Sequence, residues 1–378
     1  MFGRKIELLN IFGFSVKLHS SWIIIAVLIV WTLSANVFPY YYPDLSRPVY
    51  WIMALAGLIG LFFSITVHEL CHSLVARKFG MPMKGITLFL FGGIAEMDEE
   101  PVSPEAEFSM ALAGPLISIV LGFIFMWLAL LSADRGTGKA LSGILDYLKF
   151  INWVLAGFNL VPAFPLDGGR VLRSVLWKWK EDLKWATRIS SIMGKAFGTL
   201  LILLGIFYIF LGVFINGMWW VLIGMFIRWI SQLSYRRIII REAFRGQPVK
   251  KFMSPSPVSV EPGMSVKELV EDNIYKYHHR IYPVVDTENN IKGMVSTSDI
   301  NRIEKNRWQD VTVGELMREP AGGNMVGSDT DTSEVIKKMR SSGNTRFMVE
   351  KDGKIAGVIT LKDIFHLLPF RTPSQDDA

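Results

Sequence analysis

The chain has 378 residues, enough for two or three domains, and 51% of them are hydrophobic, with 12 Trp and 25 Phe. Mean hydropathy is positive, whereas soluble domains of this size are usually more polar, which points to a protein that faces lipid. The net charge of +6 comes from basic residues clustered just after apolar runs, as at Arg77-Lys78 and Arg236-Arg237; this is a membrane-topology pattern, and no nucleic-acid-binding motif accompanies it.

The single cysteine, Cys71, rules out an intramolecular disulfide. A mixed, partly charged stretch precedes the first apolar run, unlike a cleavable signal. Within it, Ile11–Leu18 alternates as an edge strand at the membrane surface would. Six apolar segments follow, over 20–38, 51–76, 107–131, 149–164, 195–215 and 217–233. Most approach the roughly 20 residues a helix needs to span a bilayer. The fourth is shorter and should break at Pro162 and Pro165. Broken backbone at membrane depth survives only when buried in protein or lining a cavity, which singles out 159–170. Basic residues before segment one, after segments two and six, and between four and five place both termini in the cytosol. Between segments two and three, 86–97 reads as two apolar strands joined at Gly92-Gly93, a hairpin associated with the membrane.

After Gln247 the chain becomes mixed and charged, and it repeats itself. Gly293-Met294-Val295-Ser296 followed by Asp299-Ile300 recurs 64 residues later as Gly357-Val358-Ile359-Thr360 followed by Asp363-Ile364. The expected organisation is a membrane domain over 1–235, a linker over 236–247, a repeat pair over 248–370 (about 248–306 and 312–370) and a disordered tail over 371–378.

The chemistry is carried by His68-Glu69-Leu70-Cys71-His72, an H-E-x-x-H motif near the end of segment two. Histidines at i and i+4 share one helix face, with Cβ atoms about 5–6 Å apart, which suits two nitrogen ligands of one Zn²⁺. Glu69 is placed to take a proton from a metal-bound water. Ionisable groups inside a membrane span are expensive and usually functional. Segments two and four run in the same direction, so Asp167, at the end of Asn159-Leu160-Val161-Pro162-Ala163-Phe164-Pro165-Leu166-Asp167-Gly168-Gly169, reaches the depth of the histidines. It is the candidate third ligand; it could also cap a helix starting near Gly168. Asn159 lies at the same depth, where its amide could hold a substrate backbone, stabilise an oxyanion or serve helix packing. Cys71 lies about 100° around the helix from His72 and is read as packing, not as a ligand.

Together, H-E-x-x-H in the second span, Gly114-Pro115-Leu116-Ile117-Ser118 in the third and N-x-x-P-x-x-P-L-D-G at 159–168 resemble the site-2 protease family of intramembrane metalloproteases, over roughly residues 1–235. The resemblance implies zinc on His68, His72 and Asp167, Glu69 as catalytic base, Asn159 positioning or polarising the scissile peptide, and close helix packing at Gly114 and Ser118. The repeat at 248–370 resembles a tandem pair of CBS (cystathionine-β-synthase-type) domains. That resemblance implies an adenine nucleotide (ATP, ADP or AMP) in the cleft, with Asp299 and Asp363 on ribose and Ser296 and Thr360 near phosphate, and a homodimer formed through the pair.

The expected fold is therefore a polytopic α-helical membrane domain of about six transmembrane helices with a membrane-associated β-hairpin, followed by an α+β CBS pair. The expected function is intramembrane proteolysis of single-span membrane proteins at the cell membrane, with the CBS domains cytosolic and regulatory. A substrate helix must unwind into a strand before its carbonyl is accessible, and the hairpin at 86–97 could accept that strand by edge pairing. The alternatives are a CBS-regulated transporter or channel and a non-catalytic membrane sensor. The first needs a polar path across the bilayer rather than one site; the second has no use for Glu69.

Overall fold

A computed structural model of the protein describes residues 5–81, 83–89, 92–97, 101–134, 138–318 and 324–366. The chain divides into Met1–Arg236 and Arg237–Ala378.

The first unit opens with a hairpin, β1 (Lys5–Ile11) and β2 (Phe14–His19). Phe12 and Gly13 both take positive φ at its turn, the conformation that tight hairpins require. Two further strands, β3 (Met83–Phe89) and β4 (Gly92–Met97), complete a sheet of order β1-β2-β3-β4, antiparallel except for the parallel β2–β3 pair. The alternating stretch 11–18 is thus largely an interior strand, not an edge, because β3 returns to cover its second side. Gly92 and Gly93 are not the turn between β3 and β4: they already belong to β4, opposite Phe89 and Leu88, and the connection 90–91 lies outside the described residues. The outer side of β4 ends the sheet. The sheet is anchored to the helices by Arg77, whose Nη1 donates to the Phe12 carbonyl at 2.7 Å while its guanidinium lies 4.7 Å from the Phe14 ring centroid.

The first apolar run forms α1 (Trp22–Thr32), a π-helical turn at Leu33–Val37 and α2 (Phe38–Tyr41). α3 (Arg47–Lys78) starts with Pro in its first turn and ends on Arg77 and Lys78, which suit the carbonyl-rich end of a helix dipole. α4 (Pro104–Asp134) carries Glu105 and Glu107 in its first turn, where the dipole favours acids. It is followed by α5 (Lys139–Asn159), α6 (Asp167–Lys180), α7 (Leu183–Phe210) and α8 (Phe214–Phe244). Among the described residues five stretches are long and apolar enough to cross a membrane: Trp22–Tyr41, Arg47–Lys78, Pro104–Ser132, Leu183–Phe210 and Phe214–Arg236. The fourth expected span, 149–164, covers the second half of α5 and the first five residues of the loop after it. That helix is not among the five; Asp146 and Lys149 interrupt its apolar sequence.

Close helix approach depends on missing side chains. A Cβ on Gly60 of α3 would meet Leu148 of α5 at 2.6 Å. On α7 and α8, Gly198 faces Gly224 and Gly205 faces Gly217: a Cβ on any of them would come within 2.5–2.7 Å of the opposite glycine's carbonyl oxygen. Between lipid-facing helices the hydrophobic effect adds little, so such backbone contact is a main source of association. Gly205→Val should therefore force α7 and α8 apart and destabilise the protein by about 1–3 kcal/mol. Thermal unfolding in detergent checks this, and an unchanged midpoint would show that the contact is dispensable.

In the second unit, β5 (Ser254–Pro255), β6 (Ile281–Val285), β7 (Ile291–Ser296), β8 (Met325–Gly327), β9 (Arg346–Lys351) and β10 (Lys354–Thr360) form two sheets, β5-β10-β9-β8 and β6-β7. The unit has two cores: one holds Val260, Leu269, Tyr282 and Val295, and the other holds Phe252 of the first repeat with Met339, Phe347 and Ile359 of the second. Val285, Met348 and Ile355 join the two.

Candidate metal centre

The H-E-x-x-H residues lie in the last third of α3. His68 and His72 are buried, 3% and 6% exposed, with rings in edge contact at 4.8 Å. Their outer nitrogens are engaged: His72 Nδ1 donates to the Met110 carbonyl of α4 at 2.7 Å, and His68 Nδ1 lies 2.9 Å from Ser118 Oγ, also on α4. A carbonyl only accepts, so the Met110 contact places His72's proton on Nδ1 and turns the Nε2 lone pair inward.

Asp167 is the first residue of α6, and Leu166 holds the capping position before it. Its carboxylate turns to the histidines instead of capping the helix. Asp167 Oδ2 lies 3.2 Å from His68 Nε2 and 3.1 Å from His72 Nε2, and the two Nε2 atoms are 3.1 Å apart. Tetrahedral zinc at about 2.0–2.1 Å from each ligand requires ligand atoms about 3.3 Å apart. Two imidazole nitrogens and one carboxylate oxygen, drawn into a triangle of that size, fit the ion. Gly114 of α4 completes the cradle. A Cβ there would sit 2.1 Å from His72 Nε2 and 2.6 Å from His68 Nε2, so a side chain would occupy the place of the ligand atoms.

The loop delivering Asp167 is fixed on all sides. A Cβ on Gly168 would meet the Leu160 carbonyl oxygen at 2.2 Å, and one on Gly169 would meet Phe164 N at 2.3 Å. Phe164 N–H donates to the Ser190 carbonyl at 3.4 Å, and the Phe164 carbonyl accepts from Ser231 Oγ at 2.5 Å. Glu69, half-buried, follows His68 on α3, about 100° further round the helix. Asn159 is the last residue of α5, half-buried, where the broken segment begins. Neither side chain makes a hydrogen bond or ion pair among the described residues, so both remain available to a substrate or a water. Cys71 is half-buried and lies outside the ligand cluster.

In the repeat pair, Ser296 and Asp299 cap each other at the start of a short helix, with Ser296 Oγ donating to Asp299 Oδ2 at 2.5 Å. Thr360 and Asp363 repeat the device at 2.7 Å. The two halves differ: Asp299 also accepts from Arg318, and no described arginine holds Asp363. Burial alone would raise the Asp299 pKa, but its bonds from Ser296 and Arg318 outweigh that and hold it below the usual carboxylate range.

Several site residues were not legible as such in the sequence. Gly114 and Ser118 read as helix-packing positions, yet one touches the ligand atoms and the other orients His68. Arg173, which counts in the sequence only among the basic residues between segments four and five, is buried and paired with Glu107. Glu107 itself was the available signal, an acid at the head of an apolar segment that needs a partner.

The fold and the clustering of His68, His72 and Asp167 fit a membrane-embedded metalloprotease with a C-terminal repeat module. The family model for peptidase family M50 matches residues 56–143 and 136–204, and that for the CBS domain matches 249–305 and 313–369. A zinc metalloprotease of Methanocaldococcus jannaschii is 31% identical over 96% of this chain and 96% of its own length. A Synechocystis relative, also named for a zinc metalloprotease, is 31% identical over 97% of this chain and 96% of its own. Among solved structures, the site-2 protease from Methanocaldococcus jannaschii is 29% identical, with a TM-score of 0.43 over 61% of this chain and 95% of that one. The chain belongs to peptidase family M50, the site-2 proteases. It is a multi-pass membrane zinc metalloprotease carrying tandem CBS domains.

Gly114→Ala should abolish zinc binding without unfolding the bundle. Metal content after purification, read beside a thermal melt, checks this, and a full complement of zinc would show that the cradle has more room than the distances allow.

Proposed function

We propose that His68, His72 and Asp167 hold the zinc and that Glu69 is the general base of an intramembrane endopeptidase. The observation that carries this reading is the convergence of two Nε2 atoms and one carboxylate oxygen to 3.1–3.2 Å. When bound, zinc polarises the scissile carbonyl and lowers the pKa of an adjacent water to about 7. Glu69 takes the proton from the attacking water and passes it to the leaving amine. Asn159 holds the substrate backbone, its amide positioned by the end of α5. Met110 and Ser118 keep the histidine rings in register.

The substrates in this reading are single-span membrane proteins, unwound locally at the cut. β3 is paired on both sides, so the open edge for an incoming strand is the outer side of β4. Both termini and the CBS domains face the cytosol, in line with the basic residues flanking the spans. The pair over 248–370, joined by the linker 236–247 to the protease domain, takes an adenine nucleotide with Ser296, Asp299, Thr360 and Asp363 as its contacts, assembles a homodimer and sets the rate of cleavage.

Glu69→Gln should retain zinc and lower cleavage of a single-span substrate by about 10²–10⁴-fold. Equal cleavage by both proteins would remove Glu69 from the mechanism. Saturating ATP or AMP should change the wild-type rate, and Asp363→Ala should abolish that response. Rates indifferent to either nucleotide would sink the regulatory part alone.

A further inference from the structure

Outside the His68, His72 and Asp167 cluster, the most buried charges among the described residues of the membrane unit are Glu107 of α4 and Arg173 of α6, with side chains 0% and 5% exposed. Arg173 Nε donates to Glu107 Oε1 at 2.7 Å, and its Nη2 donates to the same oxygen. The guanidinium also lies 5.3 Å from the ring centroid of Phe164, in the loop that delivers Asp167. Replacing a buried ion pair with well-packed apolar side chains is often neutral or stabilising, so stability alone does not account for this one.

Its position does. Glu107 lies one helical turn before Met110, whose carbonyl orients His72. Arg173 lies on the helix that begins with Asp167, about 9 Å along the axis from it. A tilt of α6 by about 10° around Arg173 would carry Asp167 about 1.5 Å. Functional constellations tolerate about 0.5 Å. Resting on the ligand assignment above, we infer that Glu107 and Arg173 are positioning residues: their ion pair locks α6 to α4 so that Asp167 meets the two histidines at ligand distance. The fork of the guanidinium fixes angle as well as distance, and its stacking on Phe164 extends the lock to the loop.

The test titrates zinc into the metal-stripped full-length protein in detergent against a competing chelator, and follows thermal unfolding of the metal-free form. The proteins are wild type, Asp167→Ala, Arg173→Lys and the double variant Glu107→Leu with Arg173→Leu. The double variant should lose about ten- to hundredfold in zinc affinity while the metal-free unfolding midpoint is held. Arg173→Lys should lose less, since it keeps the charge and loses the fork. Wild-type affinity in both pair variants, with Asp167→Ala weakened, would overturn the inference and leave the ligand assignment standing. Undiminished affinity in Asp167→Ala would overturn both. If the double variant does not fold, Arg173→Lys decides, and wild-type affinity there overturns the lock.

Discussion

In the proposed metal site three ligand atoms have to meet within little more than 3 Å although one comes from a residue 99 positions away in the chain. Two of them are supplied locally, since an α-helix stacks i and i+4 side chains on one face. The third is the difficult one. It requires the chain to leave α5, turn through a proline-containing segment and start α6 with its first residue already aimed at α3. The glycines at 168 and 169 let that segment fold against itself, and Ser231 ties it to α8.

The membrane raises the stakes of each polar group. With no water to compensate, a buried donor or acceptor needs an internal partner, and the bundle supplies them in pairs along its helix seams. Asn152 of α5 donates to Ser64 of α3 at 2.9 Å, one turn from His68. Tyr42 donates to Asp146 at 2.9 Å, and Tyr50 to the Tyr42 carbonyl at 2.5 Å. These bonds link α3 and α5 and brace the far end of α3. Together with glycine-mediated approach, they hold the helices where lipid tails would otherwise compete equally for the same apolar surface.

What was legible in the sequence follows the range of each interaction. H-E-x-x-H is local and its spacing alone aims both histidines, so the pair could be read directly. Asp167 was legible through the proline and glycine pattern around it, and the repeat through the recurrence of Gly-x-x-Ser/Thr-x-x-Asp. The parallel pairing of β2 with β3 was not, because register between strands some 70 residues apart leaves no mark on either. The burial of Arg173 was not legible for a related reason: counting basic residues bears on topology, whereas burial depends on Glu107, on another helix. α5 has the length of a span but not the composition, since Asp146 and Lys149 interrupt it, and a hydropathy window over 149–164 begins just where those charges end.

α3 also works as a ruler. Its 32 residues make a rod about 48 Å long, well beyond the roughly 30 Å of a bilayer's hydrocarbon layer. Measured back from Lys78, His72 lies about 9 Å and His68 about 15 Å along the axis. Arg77 pins the same end of the rod to the Phe12–Phe14 turn of the sheet. The distance from the sheet to His68 and His72 is therefore set by the hydrogen-bonded rise of one helix, not by the soft packing of neighbouring spans. In the proposed capture of a substrate strand on β4, the bond to be cut has to arrive at that offset from where the strand is gripped, so choosing a cleavage position becomes a matter of counting residues along the substrate.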